Sequence, residues 1–349
     1  MPVNKFTTEI LAMTAAMLLA GCSSTTGDGP LPEEPEPLRM EFTAVPSDPS
    51  RALTNADNIT DNPFAVWGSY VSTANGGTHQ TVFDNTTVTY AEGAWGYTDA
   101  QYWLPGFTYS FAALHPASTD GATVTFADGA MTLDYTISTD QQKRVDLLHA
   151  VALKECGDYL HDASLKPGPV DLQFAHILCQ VHFIVKVDPA VNGDVTVTSA
   201  KLWGIDRRAI FERATTAGNN YHWVNMTDRD EAMPTTKDQP YVERTEDLVI
   251  KKGEKEHLFQ IGESRLLIIP QYVSSDATLE VTYRMPDGRV RTATADISQA
   301  AALHSGRWLI GRSFSYTLTV GADEYIIFEK PEISDWQMSE GGNYIIQDK

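Results

Sequence analysis

Apolar and polar side chains alternate with a period of two along most of the chain beyond residue 38. In the first such run the apolar positions are Leu38, Met40, Phe42 and Ala44. Similar alternation marks residues 181–187, 195–197 and 279–283. Because successive side chains of a strand point to opposite faces, this pattern predicts strands that each bury one face. We therefore expect an all-β fold.

Turn-forming residues separate two of these alternating runs. Pro286, Asp287 and Gly288 are typical of turns, so residues 278–296 are predicted to form a β-hairpin. Helical patterning is scarce. The best candidate for a helix, Gln141 to Leu153, is short, and it could equally be a loop followed by a strand.

One sequence motif occurs twice. Residues 102–111 align with residues 307–316 without a gap, and they share Trp, Leu, Gly, aromatic and Ser positions in the same order. The two copies are about 205 residues apart, which is far longer than the period of a solenoid repeat. The repeat therefore indicates two related β-domains in tandem. We expect Trp103 and Trp308, one in each copy, to pack in the cores.

The turn-rich stretch Asp188–Asp194 is the predicted domain boundary, because it divides the folded region more evenly than other breaks. It gives an N-terminal domain at residues 38–188 and a C-terminal domain at residues 189–349. The stretch Lys166–Pro169 is the alternative boundary. Both predicted domains have a length typical of units that fold around their own core.

Residues 1–21 have the layout of a signal peptide for export. A mostly apolar run from Ile10 to Ala20 is too short to span a bilayer as a helix. It leads into Gly21 and Cys22, and small residues before a Cys resemble a bacterial lipobox, so Cys22 is the predicted lipidation site. An ordinary signal cleaved nearby is the alternative. Residues 22–37 are rich in Ser, Thr, Gly, Pro and Glu, which predicts a flexible tether.

Charge and motif content narrow the range of functions. The 349-residue chain has 26 Lys plus Arg against 46 Asp plus Glu, and its net charge of −20 disfavours nucleic acid as a partner. The sequence contains no phosphate-binding loop, zinc motif or nucleophile elbow, and its nine His are scattered. We therefore expect no cofactor, no metal and no enzymatic activity. Cys156 and Cys179 could form a disulfide or remain two buried thiols.

Three aromatic residues, Trp67, Trp95 and Tyr97, could stack on sugar rings if they are exposed. Trp67 lies within an alternating run, so core packing is the favoured interpretation for this residue. Exposure of the other two would support an alternative function, in which the protein is a monomeric surface lipoprotein that binds glycans.

Four features together resemble the fimbrillin-like lipoproteins of Bacteroides-type bacteria, which are subunits of the lipoprotein-derived pili sometimes called type V. The first feature is the lipobox at Cys22. The other three are Phe64–Tyr70 soon after Ser50–Leu53, Tyr102–Gly106 running to His115-Pro116, and Asp146–Ala150 followed by Leu172–Leu178. The resemblance extends over essentially the whole mature chain.

The resemblance implies two tandem transthyretin-like β-sandwich domains, export as a lipoprotein and a place in a fimbrium at the outer membrane and cell surface. It also implies maturation by a trypsin-like protease that cuts after an Arg just past the first strand. Here the cut would follow Arg51 and precede Ala52, in a segment whose Pro, Asp and Ser residues indicate an exposed loop. Arg39 is a weaker alternative, because it lies within the strand.

Cleavage in this family removes the first strand and leaves a groove, which a strand from another subunit then fills. The residues of the removed strand that would face the groove are Leu38, Met40, Phe42 and Ala44. An apolar trough with unpaired backbone groups is a physically reasonable acceptor for such a strand. The contact needs no catalytic residue.

The candidate donor strand is the C-terminal tail. Gly341 and Gly342 precede Tyr344 and Ile346, so the tail could reach a neighbour or form the last strand of its own sheet. The leading hypothesis is therefore a structural, adhesive pilus subunit, as tip, stalk or anchor. Its expected partners are other pilus subunits, the processing protease, the outer membrane through lipid, and a host or bacterial surface ligand.

Overall fold

Strands dominate the fold. The computed structural model describes residues 36–46, 58–74, 76–214, 221–224, 232, 234–260, 266–302, 305–322, 326–329 and 331–335. The predicted signal peptide and the predicted sites at Cys22, Arg51, Ala52, Tyr344 and Ile346 lie outside these residues.

The strands follow one another closely along the chain. Those before residue 178 are β1 (Phe42–Pro46), β2 (Phe64–Ser72), β3 (Gly76–Ala91), β4 (Ala94–Gly96), β5 (Phe107–His115), β6 (Ala122–Ala127), β7 (Ala130–Thr136), β8 (Leu148–Cys156) and β9 (Val170–His176). Those after residue 178 are β10 (Cys179–Val187), β11 (Val195–Trp203), β12 (Arg208–Ala214), β13 (Tyr221–Trp223), β14 (Val242–Arg244), β15 (Leu248–Ile250), β16 (Lys255–His257), β17 (Leu266–Ile268), β18 (Thr278–Arg284), β19 (Val290–Asp296), β20 (Arg312–Val320), β21 (Ile326–Phe328) and β22 (Glu332–Asp335).

Helical segments are short. They are the 3-10 turns Ile59–Asp61, Gln141–Lys143 and Ala163–Leu165 and the α-helix α1 (Ile297–Ala301). The side chain of Asp296 caps α1 by accepting a hydrogen bond from the Ser298 amide at 2.8 Å. Among the described residues, no helix has the length and apolar character needed to cross a bilayer.

The described strands form four sheets. A seven-stranded sheet has the order β1-β9-β8-β5-β2-β3-β4, and a four-stranded sheet has the order β13-β12-β7-β6. A third sheet has the order β16-β10-β20-β21 with β17 and β22 as added strands, and a fourth has the order β14-β11-β18-β19 with β15 added. Neighbouring strands are antiparallel except at two places, where β1 pairs with β9 and β10 pairs with β20.

The buried apolar residues form two hydrophobic cores. The first core, on one face of the seven-stranded sheet, includes Phe42, Phe64, Phe83, Trp103 and Phe111. The second and larger core includes Phe183, Tyr316 and Trp308. Residues 37–349 form a single unit by contacts, so the division into two tandem domains stays a prediction.

The structure confirms the predicted all-β fold and the predicted hairpin, whose arms are β18 and β19. Trp103 and Trp308 are both buried, as expected from the repeat. Gly106 and Gly311 have φ angles of +80° and +64° and precede β5 and β20, so each provides the left-handed residue that leads into its strand. The helix candidate at Gln141–Leu153 is instead a 3-10 turn, a loop and the start of β8.

Sheet pairing crosses the predicted domain boundary at residue 188. Strand β10 ends before this boundary, yet it pairs with β16, β17 and β20, which all follow it. Strand β7 likewise pairs with β12. The position of a boundary between two domains therefore remains a prediction.

Cys156 and Cys179 are free thiols in the structure, one in each core. Burial raises the pKa of the Cys156 thiol to about 11 and that of Cys179 well above its ordinary value. Both residues therefore belong to the core as protonated thiols, and the disulfide considered from the sequence is not formed.

Candidate strand-exchange groove

Residues 38–46 cover an apolar trough, which we call the β1 groove; residues 38–40 pair with segment 101–103, and residues 41–46 pair with β9. On one side β1 runs parallel to β9, with Phe42 opposite Val170, and the Val170 amide donates to the Glu41 carbonyl at 2.7 Å. On the other side Met40 donates to the Gln101 carbonyl at 2.9 Å. The Trp103 amide donates to Leu38 there at 2.9 Å. β1 is therefore the edge strand of the seven-stranded sheet, and the residues just before it pair with segment 101–103.

The alternating pattern of the sequence determines which side chains enter the groove. Met40, Phe42 and Ala44 are 0%, 4% and 8% exposed, and Leu38 is half-buried. The intervening residues Arg39, Glu41, Thr43 and Val45 are exposed. The core-facing set is the one that the alternation predicts, and Ala44 is its smallest member.

Phe42 sits in a cage of four aromatic rings. Its ring centroid lies 5.4 Å from that of Phe83 and 5.6 Å from that of Tyr97. Phe64 and Phe111 complete the cage at 6.1 Å each, and all four contacts are edge-to-face. Such pairs contribute about 0.5–1.5 kcal/mol beyond area burial, so Phe42 is the main side-chain anchor of the strand.

Tyr97 contacts both the backbone and the side chains of residues 38–46. Its hydroxyl donates to the Met40 carbonyl at 2.9 Å. The Arg39 guanidinium lies 5.2 Å from the centre of the same ring and donates to the Tyr97 carbonyl at 3.3 Å. Tyr97 therefore lines one side of the β1 groove.

The aromatic residues considered as sugar platforms pack inward. The Trp95 ring lies 4.9 Å from Phe64, and Trp67 is only 6% exposed within the second core. Tyr97 is half-buried against Phe42. These contacts weigh against an exposed aromatic row built from the three residues. Beside the groove lies an open polar cleft of about 610 Å³, whose lining includes Asp84, Thr87, Tyr97, Asp99 and Gln101.

A short polar network covers the outer face of the strand. The Thr43 hydroxyl donates to Asp171 at 2.8 Å, and the Lys154 ammonium donates to the same carboxylate at 2.9 Å. The bond from Lys154, followed by that from Thr43, lowers the pKa of the Asp171 carboxyl. Asp171 thus stays ionised and links β1 to β9 and β8 on the exposed side.

The backbone contacts at Trp103 recur at Trp308. The Trp308 amide donates to the Gln271 carbonyl at 2.9 Å, and the Val273 amide donates to Gly306 at 3.0 Å. Tyr272 forms a bridge with Arg307 in the same way as Arg39 with Tyr102. Segment 271–273 therefore occupies in the second half the position that segment 38–40 occupies in the first.

Sequence reasoning did not find that the two covering segments are equivalent. The alignment of residues 102–111 with 307–316 identified the two Trp positions. However, the segments that cover them, Leu-Arg-Met at 38–40 and Gln-Tyr-Val at 271–273, share no residue. The two segments are equivalent in their main-chain hydrogen bonds, and almost any residue type can form such bonds.

A buried contact between a His and an Asp lies elsewhere in the fold. His176 and Asp146, both within motifs that carried the resemblance, approach to 2.9 Å with their side chains 2% and 4% exposed. Among the described residues no group of three or more His, Cys, Asp or Glu is arranged to hold a metal ion. The contact between His176 and Asp146 connects the end of β9 to the loop before β8.

The fold is that of an all-β protein whose first strand lies at the edge of the seven-stranded sheet and covers an apolar trough. The fimbrillin-like family model matches residues 50–336, and this chain belongs to that family. Membership supports a role as a pilus or adhesive subunit at the cell surface. No curated protein matches the chain.

Several solved structures are similar to the chain. A candidate cell adhesion protein from Bacteroides ovatus has a TM-score of 0.46 at 16% identity, covering 87% of this chain and 99% of its own. One from Bacteroides uniformis has a TM-score of 0.43 at 19% identity, with coverages of 85% and 98%. The tip fimbrial protein Mfa3 from Porphyromonas gingivalis, with C-terminal truncation, has a TM-score of 0.38 at 10% identity, covering 86% of this chain and 100% of its own. At these values the likeness carries no functional argument.

Proposed function

We propose that the protein is a structural, adhesive subunit of a cell-surface pilus that assembles by exchange of its first strand. In this proposal the chain is exported as a lipoprotein, with the lipid attached to Cys22, and it reaches the outer membrane. Its folded part consists of two tandem transthyretin-like sandwich domains. The observation that supports exchange most directly is the β1 groove. Residues 38–46 cover an apolar trough, and they join the rest of the fold only through the stretch 47–57. No catalytic group takes part in this function.

The geometry around Arg39 favours Arg51 as the site of processing. A trypsin-like protease needs an accessible, unpaired stretch of backbone. The residues beside Arg39 are bonded to Gln101 and Trp103, and its guanidinium contacts Tyr97. Arg51 lies outside the described residues, in a sequence with the composition of an exposed loop.

Cleavage after Arg51 leaves residues 38–46 bound only by noncovalent contacts. Release of this strand exposes the four-ring cage and unpairs the Val170 amide and the Gln101 carbonyl. Burial of a Phe side chain alone contributes about 1.5–3 kcal/mol, so the empty groove is unstable in water. A strand from another subunit restores both the apolar contacts and the main-chain bonds.

The experiment combines limited proteolysis with N-terminal sequencing. Treatment of the purified chain with a trypsin-like protease is expected to give a product that begins at Ala52 and to produce SDS-resistant ladders. Arg51→Ala should abolish both, whereas Arg39→Gln, the matched control, should preserve both. Unchanged cleavage and ladders in Arg51→Ala would show that processing at this site is not the trigger.

A further inference from the structure

Tyr97 lines the β1 groove and also the open polar cleft beside it. We propose that this cleft binds a neutral oligosaccharide and that docking of residues 38–46 maintains its shape. The cleft has a volume of about 610 Å³, within the range of about 300–1,000 Å³ that is typical of small-molecule sites. The inference rests on the adhesive role in the proposed function, and it adds a binding site and a class of ligand.

The cleft lies where the hairpin of β3 and β4 opens. These two strands pair over residues 89–91 and 94–96. Beyond this pairing, residues from both 83–87 and 97–101 line the cleft. Among the described residues, no strand pairs with this edge of β3 over residues 83–87. The cleft is therefore open to solvent beside an unpaired stretch of strand.

A β-bulge shapes the β3 side of the cleft. Between Val66 and Gly68 the pairing advances two residues in β2 but three in β3, so β3 carries one extra residue there. Asn85 lies at this point with a φ of +51°, a left-handed conformation that Asn adopts more readily than most residues. Bulges interrupt the regular edge of a sheet and disfavour the addition of another strand. The cleft therefore suits a small polar ligand better than an extended peptide.

The side chains of the cleft present hydrogen-bonding groups that the fold does not use. Four exposed lining residues form no side-chain hydrogen bond or ion pair with any other described residue, and they are Asp84, Asn85, Thr87 and Asp99. Together they offer carboxylate and amide oxygens as acceptors, and an amide N–H and a hydroxyl as donors. Sugar hydroxyls both donate and accept hydrogen bonds, so this set matches the chemistry of an oligosaccharide.

The charge of the cleft favours a neutral sugar. Of the described residues that line it, two are Asp and none is Lys, Arg or His. Arg39 bonds to the Tyr97 carbonyl but is not among the lining residues. A sialylated or sulfated glycan would bring its anion close to the carboxylates of Asp84 and Asp99, and like charges repel. A neutral oligosaccharide avoids this repulsion and uses the same carboxylates as acceptors.

The first strand holds one side of the cleft in place. The Tyr97 hydroxyl donates to the Met40 carbonyl at 2.9 Å, and the Met40 amide donates to the Gln101 carbonyl at 2.9 Å. The Tyr97 ring also lies 5.6 Å from the ring of Phe42. Both Tyr97 and Gln101 line the cleft. Because oligosaccharide and strand share these residues, binding of either one should stabilise binding of the other.

A glycan array tests both the site and the class of ligand. The uncut chain is applied to immobilised neutral, sialylated and sulfated oligosaccharides, and binding to the neutral ones should be at least tenfold stronger. Thr87→Trp places a large ring in the cleft from an exposed position and should lower this binding at least tenfold. The matched control Thr125→Trp, at an exposed position of β6, should leave it unchanged. No binding to neutral oligosaccharides, stronger binding to charged ones, or equal loss in both variants would overturn the proposal.

A smaller substitution tests the site without a bulky side chain. Asp84→Ala removes one exposed acceptor, and because hydrogen bonds to charged groups are strong, binding to neutral oligosaccharides should fall about tenfold. Asp120→Ala, at an exposed Asp outside the cleft lining, is the matched control. Equal binding by both Ala variants would overturn the assigned role of this carboxylate. Binding to a peptide array that Thr87→Trp abolishes, without glycan binding, would assign the cleft to strand addition and overturn the proposal.

The link to the first strand is tested at a residue that does not line the cleft. Phe42→Ala should release residues 38–46 and weaken binding of the best neutral oligosaccharide on the array about fivefold or more. Thr43→Ala keeps the Phe42 ring and should change this affinity less than twofold. The same oligosaccharide at saturation should slow hydrogen exchange at the Trp103 amide, which donates to Leu38. Equal affinity in Phe42→Ala and the unaltered chain would overturn the link.

Assembly of the same variants separates failure of this inference from failure of the proposed function. Thr87→Trp leaves residues 38–46 unaltered, so after cleavage it should form SDS-resistant ladders as the unaltered chain does. Ladders without any glycan binding would reject the oligosaccharide site and keep strand exchange. Glycan binding that Thr87→Trp abolishes, without ladders, would keep the site and reject strand exchange.

Discussion

Truncation of the Phe42 ring should release the first strand while the rest of the fold stays intact. Phe42→Ala removes a ring that is 4% exposed and lies among Phe64, Phe83, Tyr97 and Phe111. Such truncations in a core cost about 3–5 kcal/mol. Because residues 38–46 are joined to the fold at one end only, the loss falls mainly on docking of this segment. The segment should therefore open before the rest of the protein unfolds.

Hydrogen exchange measures this opening at two amides that lie outside β1. The amide of Val170 donates to Glu41, and the amide of Trp103 donates to Leu38, so both are protected only while the strand is bound. A loss of about 3 kcal/mol corresponds to more than a hundredfold rise in the open population, since 1.4 kcal/mol is a factor of ten. Both amides should exchange at least a hundredfold faster in Phe42→Ala.

Two controls test whether this reasoning holds. Thr43→Ala removes only an exposed hydroxyl that bonds to Asp171, so its cost should be about 1 kcal/mol and its effect less than tenfold. The Trp308 amide, which donates to Gln271, is the internal control because its covering segment is not altered. Equal acceleration at Trp103 and Trp308, or equal effects of the two substitutions, would refute the idea that Phe42 anchors the strand.

Three further perturbations have defined outcomes. Burial, followed by repulsion from Arg213, lowers the pKa of His149 to about 3. The free energy of unfolding, measured by urea titration, should therefore fall as the pH drops below 6.5, by about 2 kcal/mol at pH 5. The variant His149→Phe should show a weaker dependence on pH. Tyr97→Phe loses the hydroxyl bond to the Met40 carbonyl and should weaken binding of the first strand by about 0.5–1.5 kcal/mol, measured by hydrogen exchange. Gly106→Ala, at φ +80° with open space around it, should lower the free energy of unfolding by about 1–2 kcal/mol.

The acid sensitivity of His149 has a clear direction. An unfolded His binds a proton near pH 6.5, whereas the buried ring resists protonation until about pH 3. Below pH 6.5 the unfolded state therefore binds more protons, and the folded state loses stability as pH falls through this window.

The local pattern of the chain predicted the elements of the groove but not its assembly. Alternation from Leu38 to Ala44 identified the buried face, because strand periodicity is a local property. The partner of this strand could not be predicted in the same way. Thr43 and Asp171 are 128 residues apart, and their pairing depends on sheet order, which no local pattern encodes.

Aromatic residues show a second limit of sequence reasoning. Trp95 and Tyr97 lie in a short segment with Gly and polar neighbours, a composition that fits an exposed platform as well as a groove wall. Only the position of β4 beside β1 determines which surface these rings contact. Trp67 was easier to interpret, because it lies in an apolar run and the structure buries it.

The two Trp sites differ in how their covering segments are connected to the rest of the chain. Segment 271–273 is continuous with β17, which pairs with β10, on one side and with β18 on the other. A single cut near it would leave it attached to a paired strand. Segment 38–46 differs, because the sequence predicts only a tether before it, and the candidate cleavage stretch follows it. One cut within 47–57 therefore leaves this strand held by noncovalent contacts alone. Under the proposed exchange each molecule then offers one acceptor groove.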